Sequence, residues 1–256
     1  MSPINIPIVK LYFLRAKCIL CVLFLAFSVE VVVIADERTQ TIQSIILDSF
    51  DDENNITISQ EVVRTWEIVG STFRSEGYPI KKYLQVAPDV LSEREKVQAL
   101  GIHGKFNKQG YNYIELIPVQ KSVEGGTKES PFSVKGRVQA FDLWVWGSNF
   151  DYYMEIHVRD TGGVDHILYL GDLKFAGWKR MTVEVPLSIP QSQVQLPRLQ
   201  ELKVTKIMIW TQPRARVDDF KIYIDEFSVL TDTYETRYDG YGLVATDFVQ
   251  QTWGGQ

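Results

Sequence analysis

The side chains able to do chemistry are few: three histidines, two groups of clustered acids and a handful of tryptophans. His103, His157 and His166 form no His-x-His or His-x-x-x-His pair, so no imidazole couple is spaced to grip a metal from one strand or one helical turn. His157 shares a strand face with Glu155 and Arg159, which points to an ordinary solvated cross-strand contact. Acids gather at Asp48, Asp51 and Asp52, and again at Asp218 and Asp219. Two carboxylates facing across a cleft would suffice for glycoside hydrolysis. Turn formation and the protection of sheet edges account for the same acids more simply. The chain holds no Gly-x-Ser-x-Gly elbow, no Gly-x-Gly-x-x-Gly turn and no phosphate loop ending in Gly-Lys-Ser/Thr. No catalytic, cofactor-binding or metal-ligating residue is therefore assigned, and no cofactor is expected.

Two features hold a more specific expectation. Asp48, within Leu47–Asp52, and Asp225, within Tyr223–Phe227, lie in the first and last strand-like stretches. In sugar-binding jelly rolls those strands are neighbours, and acids there can hold a structural calcium through oxygen ligands. A calcium ion near Asp48 and Asp225 is thus open to a titration. Trp144, Trp146, Trp178 and Trp210 either form core or stand exposed, where they would stack on sugar rings or anchor a protein interface. Strand position predicts core for Trp144 and Trp146. The triplet Asn55-Ile56-Thr57 matches a glycosylation acceptor, a pattern too common to count for much.

The elements that must position these residues read as strands from Ile45 onward. Arg137–Trp146, Tyr152–Arg159, His166–Leu170, Trp178–Val185, Val204–Thr211 and Phe220–Leu230 are short, rich in Val, Ile, Tyr, Phe and Trp, and bounded by Gly, Pro, Asn or Asp. Met154, Ile156 and Val158 alternate with polar residues, giving one buried face and one wet face. Phe141–Trp146 and Ile207–Trp210 are apolar on both faces and belong in central positions. The spacing predicts an all-β fold, an antiparallel β-sandwich or jelly roll with long loops. Pro118–Ser133 and Pro186–Pro197 read as those loops, and as candidate contact surfaces. Asp89–Leu100 is the one helix candidate, and it reads equally well as a polar loop.

The first residues are for export. Lys10, Arg15 and Lys17 precede an apolar run from Cys18 to Val29, with small residues at cleavage spacing after it. A membrane-spanning helix needs about 20 apolar residues, and Glu30 interrupts this run early. We therefore expect a signal peptide over residues 1–35, cut after residue 28 or residue 35, with no stable membrane anchor. A single sandwich domain over residues 36–256, ending in a short tail, follows. Both cysteines, Cys18 and Cys21, fall in the export segment, which excludes thiol nucleophiles and thiolate metal sites from the mature chain. The formal net charge is −5, and loss of the export segment makes it more acidic. Nucleic acid is then a poor partner.

An ordered set of segments resembles a known family. Trp66–Ser71 and Phe106–Asn112 come first, then Leu143–Asn149, Glu155–Asp160, Gly171 through Gly177-Trp178-Lys179, and Val185-Pro186. Ile209–Pro213 and Asp219–Asp225 follow in order. Together, from about Ile45 to Tyr241, they resemble the spirochaete flagellar filament outer-layer (sheath) proteins, the FlaA family. The resemblance implies a periplasmic structural protein of the periplasmic flagellum, without catalytic residues. It would coat the flagellin core and tune filament stiffness and curvature. The implied partners are flagellin core subunits, other sheath proteins and neighbouring copies of the same chain. A periplasmic carbohydrate-binding β-sandwich module is the alternative, since the same fold serves both.

Overall fold

The structure is a computed structural model that describes residues 42–51, 64–86, 88–91, 98–121, 126–195 and 198–233, with side chains left undescribed at 121 and 192–200. The export segment, Asn55–Thr57, Asp52 and the tail from Arg237 lie outside these residues.

In chain order the strands are β1 (Ile42–Asp48), β2 (Thr65–Gly70), β3 (Ile80–Leu84), β4 (Ala99–Gly104), β5 (Tyr113–Lys121), β6 (Thr127–Glu129) and β7 (Phe132–Val134). Then come β8 (Arg137–Ser148), β9 (Tyr152–Arg159), β10 (Asp165–Asp172), β11 (Ala176–Glu184), β12 (Ser192–Gln195), β13 (Arg198–Thr211) and β14 (Phe220–Asp232). They form two antiparallel sheets. Sheet A runs β11-β8-β14-β4-β3, with β1 also paired to β14. Sheet B runs β10-β9-β13-β5-β2, with β6, β7 and β12 attached to β5 and β13. This is the expected all-β sandwich. The apolar strands take central places, β8 between β11 and β14, and β13 between β9 and β5.

Period-2 alternation builds the core. Phe141, Leu143 and Val145 of β8 and Ile222, Ile224, Phe227 and Val229 of β14 face Met154, Ile156 and Val158 of β9 and Ile207 and Ile209 of β13, all of them buried. Aromatic rings link the layers. Trp66 packs between Phe50 and Phe132, at 6.0 and 5.5 Å between centroids, and Phe227 joins Phe132 at 6.4 Å and Phe141 at 5.9 Å. A bulge near Glu226 divides β14. Phe220–Ile224 pair with β4, and Phe227–Asp232 pair with β1. Gly136, at φ 82°, lets the chain turn into β8, where a Cβ would sit 2.2 Å from the Asp232 carbonyl oxygen.

Three expectations are corrected. Trp144 and Trp146 are half-buried on the outer face of sheet A rather than in the core, because from Phe141 to Val145 the odd-numbered residues of β8 take the inner face. Pro118–Ser133 is not a long loop. β5 continues through Pro118 to Lys121, β6 folds back onto it, and β7 begins at Phe132. Pro186–Pro197 likewise contains β12 paired to β13, and Gln191 ties its first half to β8 by bonding both the N–H and the carbonyl of Val138. Of the helix candidate, Asp89–Leu91 is a single 3-10 turn and Ala99–Leu100 begin β4.

Candidate functional site

The outer faces of both sheets carry rings. On sheet B, register sets Trp210 of β13 between Tyr113 of β5 and Tyr153 of β9. The centroids lie 5.1 Å apart for Tyr113 and Trp210, and 6.5 Å apart for Tyr153 and Trp210. Tyr169 of β10 extends the row, 5.9 Å from Tyr153. Much of this row is open to solvent at one side: Ile167 is 61% exposed, Tyr169 54% and Tyr111, just before β5, 67%. Two of the rings, Trp210 and Tyr169, have polar partners. Trp210 Nε1 donates to Glu155 at 2.9 Å, and His157 meets the same carboxylate oxygen at 3.1 Å. Tyr169 donates its hydroxyl to Asp172 at 2.7 Å, and Lys206 donates to Glu115 at 2.7 Å. Partial burial, then Asp172, pushes the Tyr169 phenol up to about 12. Burial and Glu155 raise Tyr153 as well. Both phenols stay protonated at neutral pH.

On sheet A, the outer face presents Trp178 of β11 opposite Trp146 of β8, which stands edge-on to Tyr223 of β14 at 5.2 Å. The next place along that rung is Gly101 of β4, followed by Lys82 of β3. A half-open groove lies over this glycine, bounded by Ile80, Lys82 and Leu84 on one side and Lys221 and Tyr223 on the other.

The structure separates the other sequence candidates. His157 contacts Glu155 of its own strand, and both side chains are mostly buried, so the expected solvated cross-strand contact is corrected. His166 pairs with Asp160 at 2.7 Å and His103 with Asp219 at 3.0 Å, each in a different place. Asp219 sits at φ 56° before β14 and also accepts from Lys221, a turn role. Asp48 and Asp225 do come together, both buried, close enough that the Asp225 charge acts on Asp48. Asp48 accepts from Phe50 N–H at 2.8 Å and from Trp66 Nε1 at 2.5 Å. Burial is the main reason its carboxyl is pushed up to about 7. Among the described residues no group of three acids or histidines converges as a metal cluster. The tyrosines of sheet B were not singled out from the sequence. Their signal was present, because Tyr153 shares parity with Glu155 and His157 along β9.

Comparison with known proteins decides the family. Residues 52–240 match the model of the flagellar filament outer layer protein FlaA. The chain belongs to the FlaA family. A flagellar filament outer layer-like protein of Brachyspira hyodysenteriae is 26% identical to this FlaA chain over 202 residues, 78% of the chain and 84% of the relative. Solved structures resemble it in fold. The family 11 carbohydrate-binding module of a cellulosomal cellulase of Clostridium thermocellum covers 74% of this chain and 95% of its own, at 10% identity and TM-score 0.42. A Caldicellulosiruptor saccharolyticus carbohydrate-binding module solved with mannohexaose covers 77% and 100%, at 10% identity and TM-score 0.38. The FlaA assignment places the chain with the flagellum. Among the described residues no helix is long and apolar enough to cross a membrane.

Proposed function

We propose that this FlaA chain is a non-catalytic sheath subunit, exported to the periplasm and laid over the flagellin core of a periplasmic flagellum. The observation that supports it best is the aromatic face of sheet B: four rings in a row with Ile167 and Tyr169 more than half exposed. Partly exposed aromatics held in fixed rotamers by polar partners are the usual anchors of protein interfaces. A second aromatic surface on sheet A gives the subunit two non-equivalent contact faces. Such heterologous contacts propagate along a filament instead of closing into a pair. Repetition supplies avidity, so each contact can be weak while the layer as a whole holds and stiffens the filament. In this reading sheet B faces the core or another sheath protein, and neighbouring copies meet elsewhere on the sandwich.

The test is a double variant, Ile167→Ser with Tyr169→Ser, mixed with isolated filaments and sedimented. Both side chains are more than half exposed, but Tyr169 loses its bond to Asp172 and its contact with Tyr153, so folding stability should fall by about 1–2 kcal/mol. Co-sedimentation should fall at least about tenfold. A folded variant that sediments with filaments as well as the parent would remove sheet B from the interface.

A further inference from the structure

Gly101 stands in the middle of β4 without a left-handed backbone, so its conformation does not call for glycine. Space does. A glycine inside a strand marks a place where something else approaches the backbone closely. A Cβ there would meet the Tyr223 ring at 3.1 Å and Leu84 at 3.3 Å. Register makes the gap a shallow trough. Its central rung is Lys82–Gly101–Tyr223, and the rung beside it is Ile80–His103–Lys221. One wall is therefore the Tyr223 ring backed by Trp146, the other is Ile80 and Leu84, and three basic side chains surround the middle.

The charges are unequal. Lys221 and His103 already share Asp219, at 2.6 and 3.0 Å. Lys82 is exposed and has no ion pair among the described residues. A local cation left over beside an aromatic wall favours an anionic group there, against the chain's net negative charge. The Tyr223 ring, which closes with Leu84 over the buried Gly101, favours a flat, partly apolar guest, since the apolar face of a pyranose stacks on an aromatic ring while its edge takes hydrogen bonds. We propose that this trough binds a single sugar ring bearing a carboxylate, with the ring against the solvent side of Tyr223 and the carboxylate at Lys82. Lys221 and His103 donate to the remaining oxygens. The site lies on sheet A and does not depend on the sheath reading.

The test is two-dimensional amide NMR of the purified protein, titrated separately with glucuronic acid, N-acetylneuraminic acid, glucose and acetate. An acidic sugar should shift the amides of Lys82, Gly101, His103 and Tyr223 at millimolar concentration. Glucose and acetate should act at least about tenfold more weakly. Lys82→Glu, at an exposed position, should keep the folded spectrum and lose the response at least about tenfold, and Gly101→Ala should weaken both acidic sugars. No shift from either acidic sugar would overturn the proposal. So would glucose or acetate matching them, or an undiminished response in folded Lys82→Glu. Because the assay contains no filaments, its failure leaves the sheath reading untouched, and failure of sedimentation leaves the trough untouched.

Discussion

Replacing Asp48 by Asn should change how stability depends on pH. Asp48 is 1% exposed at the end of β1. Burial penalises its charged form more than the hydrogen bonds from Trp66 and Phe50 stabilise it, and Asp51 and Asp225 add repulsion. Its carboxyl therefore moves from the ordinary 3.8 to about 7. With the folded value above the unfolded one, the neutral acid favours the fold, and this contribution is complete below pH 3.8. As pH rises from there, the unfolded chain releases its proton first and stability falls until the folded carboxyl ionises near pH 7. At about 1.4 kcal/mol per tenfold change in proton affinity, the total loss is on the order of 4 kcal/mol. Asn cannot ionise. It keeps one oxygen for Trp66 Nε1, and its amide then faces the Phe50 N–H, a cost that does not vary with pH. Urea denaturation of both proteins in EDTA should show the variant gaining roughly 3 kcal/mol relative to the parent between pH 4.5 and 7.5. A difference that stays flat across that range would refute the reasoning. Calcium added at pH 7.5 tests whether an ion binds near Asp48 and Asp225. An unmoved melting temperature would remove that ion, and a rise seen in the parent but not in the variant would establish it.

Two further substitutions probe the packing. Phe227→Ala removes the ring that joins Phe132 to Phe141 at the centre of the core, and should cost about 3–5 kcal/mol in urea denaturation; a loss under 1 kcal/mol would mean the core repacks around it. Gln191→Leu removes both bonds to Val138, 2.6 and 3.0 Å long. It should cost about 1–3 kcal/mol, and hydrogen exchange should show residues 186–191 opening ahead of the sheets, whereas unchanged protection there would show that buried Ile189 and the Thr161 N–H bond to the Pro190 carbonyl suffice to hold the segment.

The strands between Arg137 and Leu230, β12 excepted, were legible because alternation and turn residues mark them directly. β9 was read with its observed bounds, and β8, β10, β11, β13 and β14 differ from the reading mainly at their ends. β6 was illegible for a physical reason. All three of its side chains are exposed, so pairing with β5 rests on the backbone and leaves no hydrophobic period to read. Trp144 and Trp146 misled because a central strand is covered by its neighbours within the sheet, which says nothing about cover above the sheet. Half of the sheet B row was visible in parity, through Tyr153. Its junction with Tyr113 and Trp210 depends on register between strands about a hundred positions apart. The Trp66–Asp48 bond joins β2 to β1 across a similar gap in information, since the sequence marks neither as the other's partner.

Quantitative mass spectrometry of purified flagellar filaments tests the central claim most directly. The account predicts this chain in the filament fraction at an abundance comparable to the major filament protein, released only under conditions that strip the outer layer. Recovery of the chain wholly in the soluble periplasmic fraction, with filaments that lack it, would contradict the account.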